Sequence, residues 1–263
     1  MLERRLIGSL LLAGLLFGLP GCGASQPGLP SSSATPGIPS SLVAPATAGA
    51  PEDPYTETRS AMVRDQIAAR GVADAAVLDV MRRVPRHRFV PETYLAAAYA
   101  DHPLPIGHGQ TISQPYIVAL MTEALKLKPG DRILEIGAGS GYQAAILDAL
   151  GAAVYTVEII SALAEQARAR LADLGYTHTQ VLTADGYYGW AEHAPYDAII
   201  VTAAPDHLPQ PLVGQLKEGG RLIIPIGPTG SYQTLWLFEK TGGELRATDL
   251  GGVIFVPLRG EGH

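Results

Sequence analysis

The chain has 263 residues and a formal net charge of −6 at pH 7, with 47% apolar and 17% charged residues. This length allows one sizeable domain with extensions, and the apolar content supports a packed core. The net negative charge argues against sequence-independent binding to nucleic acid, which requires a basic surface, so we expect no nucleic-acid partner. Cys22 is the only cysteine, which excludes an intramolecular disulfide, and the seven histidines show no zinc-ligand spacing. We therefore expect no metal site.

The first 22 residues resemble a bacterial lipoprotein signal. Arg4 and Arg5 precede an apolar run, residues 6–19, which is short for a membrane-spanning helix but has the length of a signal-peptide core. The run ends in the sequence LPGC, and the resemblance implies that signal removal leaves a lipid-modified Cys22 at the new N-terminus. The alternative is a buried N-terminal helix with an incidental cysteine.

Residues 23–56 form a separate segment that is rich in proline, serine and alanine and poor in charged and large apolar side chains. Such a composition cannot bury enough apolar surface to offset the entropy of ordering, so we predict a disordered tether between membrane and domain. A lipid anchor at Cys22 is the only membrane contact that the sequence predicts. This organisation predicts a location in the cell envelope, with the domain facing the periplasm; the alternative is the cytoplasm.

Residues 57–127 are predicted to form an N-terminal helical cap. The apolar spacing predicts helices over residues 59–70, 75–83 and 94–99, and Gly71 is a stop signal for the first of them. The stretch 101–114 contains two prolines and two glycines, which predicts an irregular segment. A further helix is predicted over residues 115–127.

Residues 128–263 alternate apolar strands with helices, which is typical of an α/β core. The predicted strands cover residues 132–136, 153–158, 180–183, 197–202, 221–226, 234–238 and 253–256, and the predicted helices cover residues 142–150, 161–174 and 208–216. Continuous apolar strands joined by helices predict a doubly wound, mostly parallel, seven-stranded Rossmann-like sheet. The last two strands have no helix between them, so they predict an antiparallel edge.

A glycine-rich loop with the sequence LEIGAGSG, residues 134–141, follows the first core strand. Ligands of such sheets bind beyond the carboxyl ends of the strands, where Gly137 and Gly139 allow the backbone to approach closely. Glu158 ends the next strand, at the position where a carboxylate accepts hydrogen bonds from ribose hydroxyls. Asp185 and Gly186 follow the third strand, where an acidic side chain can bind an adenine amino group. Together these residues predict a site for an adenosine-containing cofactor.

Two features favour S-adenosyl-L-methionine over a nicotinamide dinucleotide as that cofactor. The dinucleotide fingerprint requires a third glycine at the position that Tyr142 occupies. Glu135 lies just before the loop, and a carboxylate there suits a cationic amino-acid group better than a pyrophosphate. A plain strand–helix turn is the structural alternative for the glycine loop taken alone.

Five segments resemble, in order and spacing, the motifs of the protein-L-isoaspartate O-methyltransferase family. They are VPRHRFV (84–90), PIGHGQTISQP (105–115), LEIGAGSGYQ (134–143), PYDAIIVTAAP (195–205) and VIFVPL (253–258). The resemblance covers about residues 59–258, and the QTISQP segment is the most discriminating. It implies that a methyl group is transferred from S-adenosyl-L-methionine to the abnormal carboxylate of isoaspartyl residues in damaged proteins or peptides, which initiates their repair.

The resemblance also assigns site residues. It implies an active-site role for Ser113, with Thr111 and Ile112 lining the same place, and substrate contacts by Val256, Pro257 and Leu258. The implied cofactor-binding residues are Glu135, Gly137, Gly139, Ser140, Glu158, Asp185 and Gly186. One departure is Ala184, where the family usually has glycine, and this change should perturb adenine packing only slightly. We expect a monomer whose partners are isoaspartyl proteins and peptides.

The implied reaction needs little acid–base catalysis. A carboxylate is already ionised at neutral pH, so the enzyme must mainly align it with the methyl group, and Ser113 is expected to orient it. The structural alternative for Ser113 is the N-cap of the helix that begins at Pro115. Two other functions fit the same sequence: methylation of a small carboxylic acid, and a non-catalytic lipoprotein that keeps the cofactor fold.

Overall fold

The computed structural model describes residues 53–260. The predicted signal, the predicted lipidation site Cys22 and most of the predicted tether lie outside the described residues. The end of the tether contacts the domain: Arg59 donates a 2.8 Å hydrogen bond to Asp53, and the ring of Tyr55 stacks on His87 with 4.2 Å between the ring centroids.

The first predicted helix is present but changes its hydrogen-bonding pattern along its length. Helix α1 (Thr56–Ala61) continues into a π-helical segment, Met62–Ile67, and then a 3₁₀ turn, Ala68–Arg70. Gly71 ends the run with a left-handed φ of 100°, a conformation that glycine adopts without steric cost. The predicted stop signal is therefore confirmed.

The rest of the cap follows the predicted order with one change of helix type. Helix α2 (Ala75–Arg83) has the predicted bounds, because the Asp74 carboxylate caps it by accepting hydrogen bonds from two backbone N–H groups. The predicted helix 94–99 is instead a 3₁₀ segment, Glu92–Ala97. Helix α3 (Pro115–Leu125) then leads from the cap into the core.

The segment predicted to be irregular forms a β-hairpin. Strand β1 (Leu104–Gly107) pairs antiparallel with strand β2 (Gln110–Ile112), and the turn between them contains His108 and Gly109, both with positive φ. The hairpin packs on the glycine loop, since a Cβ on Gly139 would lie 3.4 Å from the side chain of Ile106. It therefore carries the QTIS sequence to the predicted cofactor site.

The core is a seven-stranded sheet in the order β5–β4–β3–β6–β7–β8–β9. Its strands are β3 (Arg132–Ile136), β4 (Ala153–Glu158), β5 (Thr179–Thr183), β6 (Tyr196–Val201), β7 (Leu216–Ile226), β8 (Gln233–Thr241) and β9 (Glu244–Val253). The helices between them are α4 (Tyr142–Ala149), α5 (Ser161–Asp173) and α6 (Gln210–Gln215). Strands β3 to β7 pair in parallel, and β8 and β9 add an antiparallel edge. This confirms the predicted doubly wound, mostly parallel α/β fold.

Two predicted elements near the C-terminus have different bounds. The last strand was predicted over residues 253–256, but β9 ends at Val253, and the chain then leaves the sheet edge to form an isolated bridge between Pro257 and Ala204. The predicted helix 208–216 is shorter, because Leu216 already pairs with the neighbouring strand β6. Gly219 and Gly220, which follow the helix in the sequence, lie inside β7.

The strand order reverses beside β3, at the centre of the sheet. The chain runs from β3 outwards through β4 and β5 and then returns to β6 on the other side of β3. Ligands of such sheets bind where the order reverses, beyond the carboxyl ends of the strands. The glycine loop after β3 and the residues after β6 meet at this point. Among residues 53–260, no helix is long and apolar enough to cross a membrane.

Candidate active site

The glycine loop is hydrogen-bonded to the residue that follows the neighbouring strand β6. Gly137 has a φ of 96°, and a Cβ on it would lie only 2.5 Å from the Thr202 hydroxyl oxygen. That hydroxyl is placed to donate a hydrogen bond to the backbone carbonyl of Gly137, at 2.8 Å, or of Ile136, at 3.0 Å. Glycine is thus required here by both the backbone conformation and the close approach of Thr202.

Glu158 holds the same loop from the other side. Its carboxylate accepts a 2.9 Å hydrogen bond from the backbone N–H of Gly139 and another of 2.9 Å from Ile160. The side chain is buried but borders a cavity beside the loop. A carboxylate has more acceptor sites than these two bonds occupy, so Glu158 can also accept hydrogen bonds from a ligand.

The cavity beside the glycine loop, which we name the loop cavity, contains most of the predicted cofactor residues. The predicted residues that line it are Gly137, Gly139, Glu158, Gly186, Thr111, Val256, Pro257 and Leu258. Gln110 from the hairpin and Arg259 from the C-terminal segment also line it. Its volume is about 50 Å³, whereas ligand sites usually measure roughly 300–1,000 Å³. An adenosine-sized ligand must therefore displace some of the lining side chains when it binds.

Glu135 is not on the wall of the loop cavity. Its side chain has no solvent exposure, and neither carboxylate oxygen has a hydrogen-bond partner within residues 53–260. Burial raises the pKa of the Glu135 carboxyl to about 8; the nearby Thr156 hydroxyl lowers that pKa, and the negative charge of Glu158 raises it further. Thr156 lies opposite Glu135 in the sheet register, but no hydrogen bond of normal geometry joins the two side chains. A buried carboxyl with an incompletely satisfied hydroxyl beside it therefore lies next to the glycine loop.

Asp185 and Gly186 lie at the carboxyl end of β5, as predicted, with different roles in the local structure. The Asp185 carboxylate accepts a 2.9 Å hydrogen bond from the backbone N–H of Tyr187 and so caps a 3₁₀ turn. Gly186 lines the loop cavity, and a Cβ on it would collide with the side chain of Ile136. The C-terminal segment packs against this corner, since a Cβ on Gly260 would collide with the Asp185 carboxylate.

Ser113 borders a second, larger space, which we name the Ser113 cleft. Its volume is about 610 Å³, and Thr111, Thr202 and Val256 line it together with Ser113. Thr111, Thr202 and Val256 also line the loop cavity, so the two spaces meet at these side chains. The N-cap of α3 is Gln114, which makes no side-chain cap. Ser113 is therefore not the helix cap, and it lines the cleft.

The remaining predicted residues line either a third, smaller cavity or the loop cavity. Ile112 and Ser140 line a small cavity of about 30 Å³ that also contacts Ser113 and Gly137. Pro257 and Leu258, predicted to hold the substrate, line the loop cavity and not the Ser113 cleft. The reason is a pair of backbone hydrogen bonds with Ala204, which fix residues 256–258 across the end of β6.

Three residues that the fold brings to the site were not predicted from the sequence. Thr202 follows the β6 strand, and its place at a strand end was a signal that could have identified it. Gln110 lines the loop cavity, and its side-chain N–H₂ group is buried without a hydrogen-bond partner in the described residues. Arg259 lines the same cavity. Within residues 53–260, no group of three or more His, Cys, Asp or Glu side chains is placed to hold a metal ion.

Comparison with known proteins agrees with this arrangement. Residues 57–263 match the family model of protein-L-isoaspartate(D-aspartate) O-methyltransferase. The chain is 56% identical over 211 residues to the protein-L-isoaspartate O-methyltransferase of Picosynechococcus sp., covering 80% of this chain and 94% of that one. It is 52% identical over 206 residues to protein-L-isoaspartate O-methyltransferase 2 of Shewanella sediminis, covering 78% and 84% of the two chains.

A solved structure gives the same result for the fold. A protein-L-isoaspartate O-methyltransferase from Plasmodium falciparum, in complex with S-adenosyl-L-homocysteine, aligns with a TM-score of 0.67 and 29% identity, over 76% of this chain and 98% of that one. The region that matches the family model, residues 57–263, contains both the cap and the sheet. The chain therefore belongs to the protein-L-isoaspartate(D-aspartate) O-methyltransferase family.

Proposed function

We propose that this protein transfers a methyl group from S-adenosyl-L-methionine to the free carboxylate of L-isoaspartyl residues in damaged proteins and peptides. The observation that carries this function is the junction between the loop cavity and the Ser113 cleft at Thr111 and Thr202. A cofactor beside the glycine loop and an acceptor beside Ser113 would meet at this junction. Family membership supports the assignment of donor and acceptor.

The residues around the loop cavity fit S-adenosyl-L-methionine. Gly137, Gly139, Ser140 and Gly186 would surround it, Glu158 would accept hydrogen bonds from the ribose, and Asp185 would bind the adenine. The unpartnered Gln110 amide on the cavity wall matches a ligand that carries an acceptor group. The Glu135 carboxyl is buried behind that wall, so it would favour a cationic amino group on the cofactor through its charge and without direct contact. The cofactor supplies a methyl group on a sulfonium, which is a good leaving group.

The chain's own residues would then perform positioning rather than proton transfer. The acceptor carboxylate is ionised at neutral pH and needs no general base. Ser113 would donate a hydrogen bond to one carboxylate oxygen and direct the other oxygen towards the junction, where Thr111 and Ile112 limit its freedom. Alignment of two reacting groups at contact distance is worth several orders of magnitude in rate.

The Ser113 cleft has the size and surface expected for a peptide rather than for a small acid. Tyr232 and Ile254 at the cleft are exposed by 75% and 65%, although both are large apolar side chains. Exposed apolar side chains beside a cleft are typical of binding sites. They would contact substrate residues on either side of the isoaspartyl group, while Val256, with Pro257 and Leu258 behind it, would support the substrate backbone.

The test is methyl transfer by the purified full-length chain, followed by localisation of the product. With S-adenosyl-L-methionine and an isoaspartyl peptide, mass spectrometry of fragments should find a methyl ester on the isoaspartyl carboxyl. Ser113→Ala should reduce the rate strongly, and Ser60→Ala, a serine on α1 outside both spaces, should not. Methylation of small carboxylic acids but not of the peptide would contradict the proposal, and so would the absence of any transfer.

The proposed location is the cell envelope, with an anchor on Cys22 and residues 23–52 as a tether for a monomeric domain; the predicted tether 23–56 is shortened because residues 53–56 pack on the domain. Support comes from the apolar run that ends in LPGC and from the composition of the following segment. Mass spectrometry of the mature N-terminus after expression in a bacterium should find acylated Cys22. An intact Met1 terminus would place the protein in the cytoplasm instead, and analytical ultracentrifugation would test the monomer.

A further inference from the structure

A cationic side chain lies in the Ser113 cleft, away from the junction with the loop cavity. Arg70 lines the cleft at the end of the first helical run, and the centre of its guanidinium lies 3.5 Å from the centroid of the Tyr116 ring. Among the described residues that line this cleft, Arg70 is the one with a charged side chain. It lines neither the loop cavity nor the small cavity beside Ser113.

Arg70 therefore lies in a different part of the cleft from the carboxylate that is methylated. The methylated group must lie at the junction, beside Thr111 and Thr202, to reach the cofactor. Arg70 instead stacks on Tyr116 and shares the Asp101 carboxylate with Gln114, and both Tyr116 and Gln114 line only the cleft. A substrate that fills the cleft therefore presents a different part of its chain to the guanidinium.

Arg70 can still bind a substrate group, although it already forms an ion pair within the protein. It donates a 2.7 Å hydrogen bond to the Asp101 carboxylate, and its side chain remains 46% exposed. Asp101 is shared, because it also accepts a 2.8 Å bond from the Gln114 side chain and a 3.4 Å bond from the backbone N–H of Tyr116. A guanidinium has several N–H donors in a planar fork that suits carboxylates, and stacking on Tyr116 holds that fork in place.

We propose that Arg70 is a specificity-determining residue that binds a second carboxylate of the substrate, next to the isoaspartyl residue in sequence. This inference rests on the proposed function. The second carboxylate comes either from the side chain of a neighbouring Asp or Glu or from a nearby peptide C-terminus. The preferred substrates are therefore damaged sites in acidic segments or at acidic chain ends, and a basic neighbour at the same position is disfavoured.

The test compares matched isoaspartyl peptides with the full-length wild-type protein. One series places Glu, Gln or Lys at each position flanking the isoaspartyl residue, and another compares a free C-terminus with an amidated one. At one flanking position or more, kcat/KM should be highest for the Glu peptide, lower for the Gln peptide and lowest for the Lys peptide. Each difference should be about three- to tenfold, as expected for a partly exposed ion pair between Arg70 and a substrate carboxylate. The preference should shrink as salt is added.

Variants of Arg70 test whether this residue causes the preference. For each variant, the quantity compared is the ratio of kcat/KM for the Glu peptide to kcat/KM for the Gln peptide. A general loss of activity cancels in this ratio. Arg70→Gln should bring the ratio to about one, and Arg70→Glu should favour the Lys peptide. Arg70→Lys should keep part of the preference, because it retains the charge but not the fork. Arg64→Gln removes the same charge from an exposed site outside the cleft and should keep the wild-type ratio.

The outcomes separate this inference from the proposed function. If every isoaspartyl peptide is methylated at the same rate whatever its flanking charge, the role of Arg70 is refuted and the methyltransferase function stands. A wild-type preference that Arg70→Gln and Arg70→Glu leave intact refutes it equally. If no isoaspartyl peptide is methylated, the proposed function itself fails.

Discussion

Replacing Glu135 with glutamine should remove a large pH dependence from the stability of the protein. The Glu135 carboxyl is fully buried, and burial raises its pKa from the ordinary value of 4.5 to about 8. The folded state therefore holds this proton up to about pH 8, whereas the unfolded chain releases it near pH 4.5. Because the folded state binds the extra proton, stability falls as the pH rises between these values.

The size of the effect follows from the width of that window. The two pKa values differ by about 3.5 pH units, and one unit corresponds to about 1.4 kcal/mol. Glu135 therefore lowers the free energy of unfolding by roughly 5 kcal/mol at most between pH 4.5 and pH 8. Glutamine has the same shape and no proton to lose, so the difference between Glu135→Gln and wild type should grow steadily with pH.

Urea unfolding followed by circular dichroism measures this difference. Between about pH 6 and pH 8, the variant should gain about 2–3 kcal/mol relative to wild type. Glu165→Gln removes the same charge from an exposed position on α5 and should keep the wild-type pH dependence. If Glu135→Gln and wild type show the same slope, the buried proton on Glu135 does not exist and this account of the site is refuted.

Four further predictions concern the site. Ser113→Ala should lower kcat/KM for an isoaspartyl peptide by about tenfold to a hundredfold, measured by initial rates, because the hydrogen bond to an ionised acceptor is lost. Gly186→Ala should lower the free energy of unfolding by about 1–3 kcal/mol in urea, because its Cβ collides with Ile136. Gln110→Leu should leave the free protein as stable as wild type yet raise the cofactor Kd about five- to a hundredfold by calorimetry, because an unpartnered donor is removed; an unchanged Kd would contradict its role. Calorimetry near pH 7 in two buffers should detect proton release on cofactor binding, because a cationic amino group beside Glu135 favours its carboxylate, whereas Glu135→Gln should release none.

The parallel part of the sheet could be predicted well because its physical signal is local. Strands β3 and β4 have the predicted bounds, since continuous apolar runs between helices belong to strands buried on both faces. The glycine loop and Glu158 were predicted for the same reason: their places at strand ends follow from the order of elements alone.

The antiparallel elements were harder to predict because their pairing is not local. Strand β9 lies at the sheet edge and most of its residues are exposed, so it has no apolar run, whereas the apolar residues 254–256 leave the sheet. In the hairpin, Pro105 and Gly107 indicate an irregular segment, yet pairing of Leu104 with Ile112 forms two strands. Proline is tolerated there because the hairpin is a separate two-stranded sheet with open edges.

In the candidate site, too, the features with a local sequence signal could be predicted, and those that depend on packing could not. Ser113 and the proposed cofactor residues could be named from motifs, but Arg70 lies 43 positions before Ser113 and reaches the same cleft only through the fold. The charge of Glu135 could not be judged from sequence either, because its protonation depends on complete burial between strands and the helices that cover them. Motifs therefore predict which residues take part, and packing decides how they act.

The most direct test of the central claim is the ratio of kcat/KM for an isoaspartyl peptide to that for the same peptide with a normal aspartate. The full-length protein, S-adenosyl-L-methionine with a labelled methyl group, and the two peptides are sufficient. The account predicts transfer to the isoaspartyl peptide and little or none to its aspartyl twin. Equal transfer to both peptides, or transfer to neither, would contradict it.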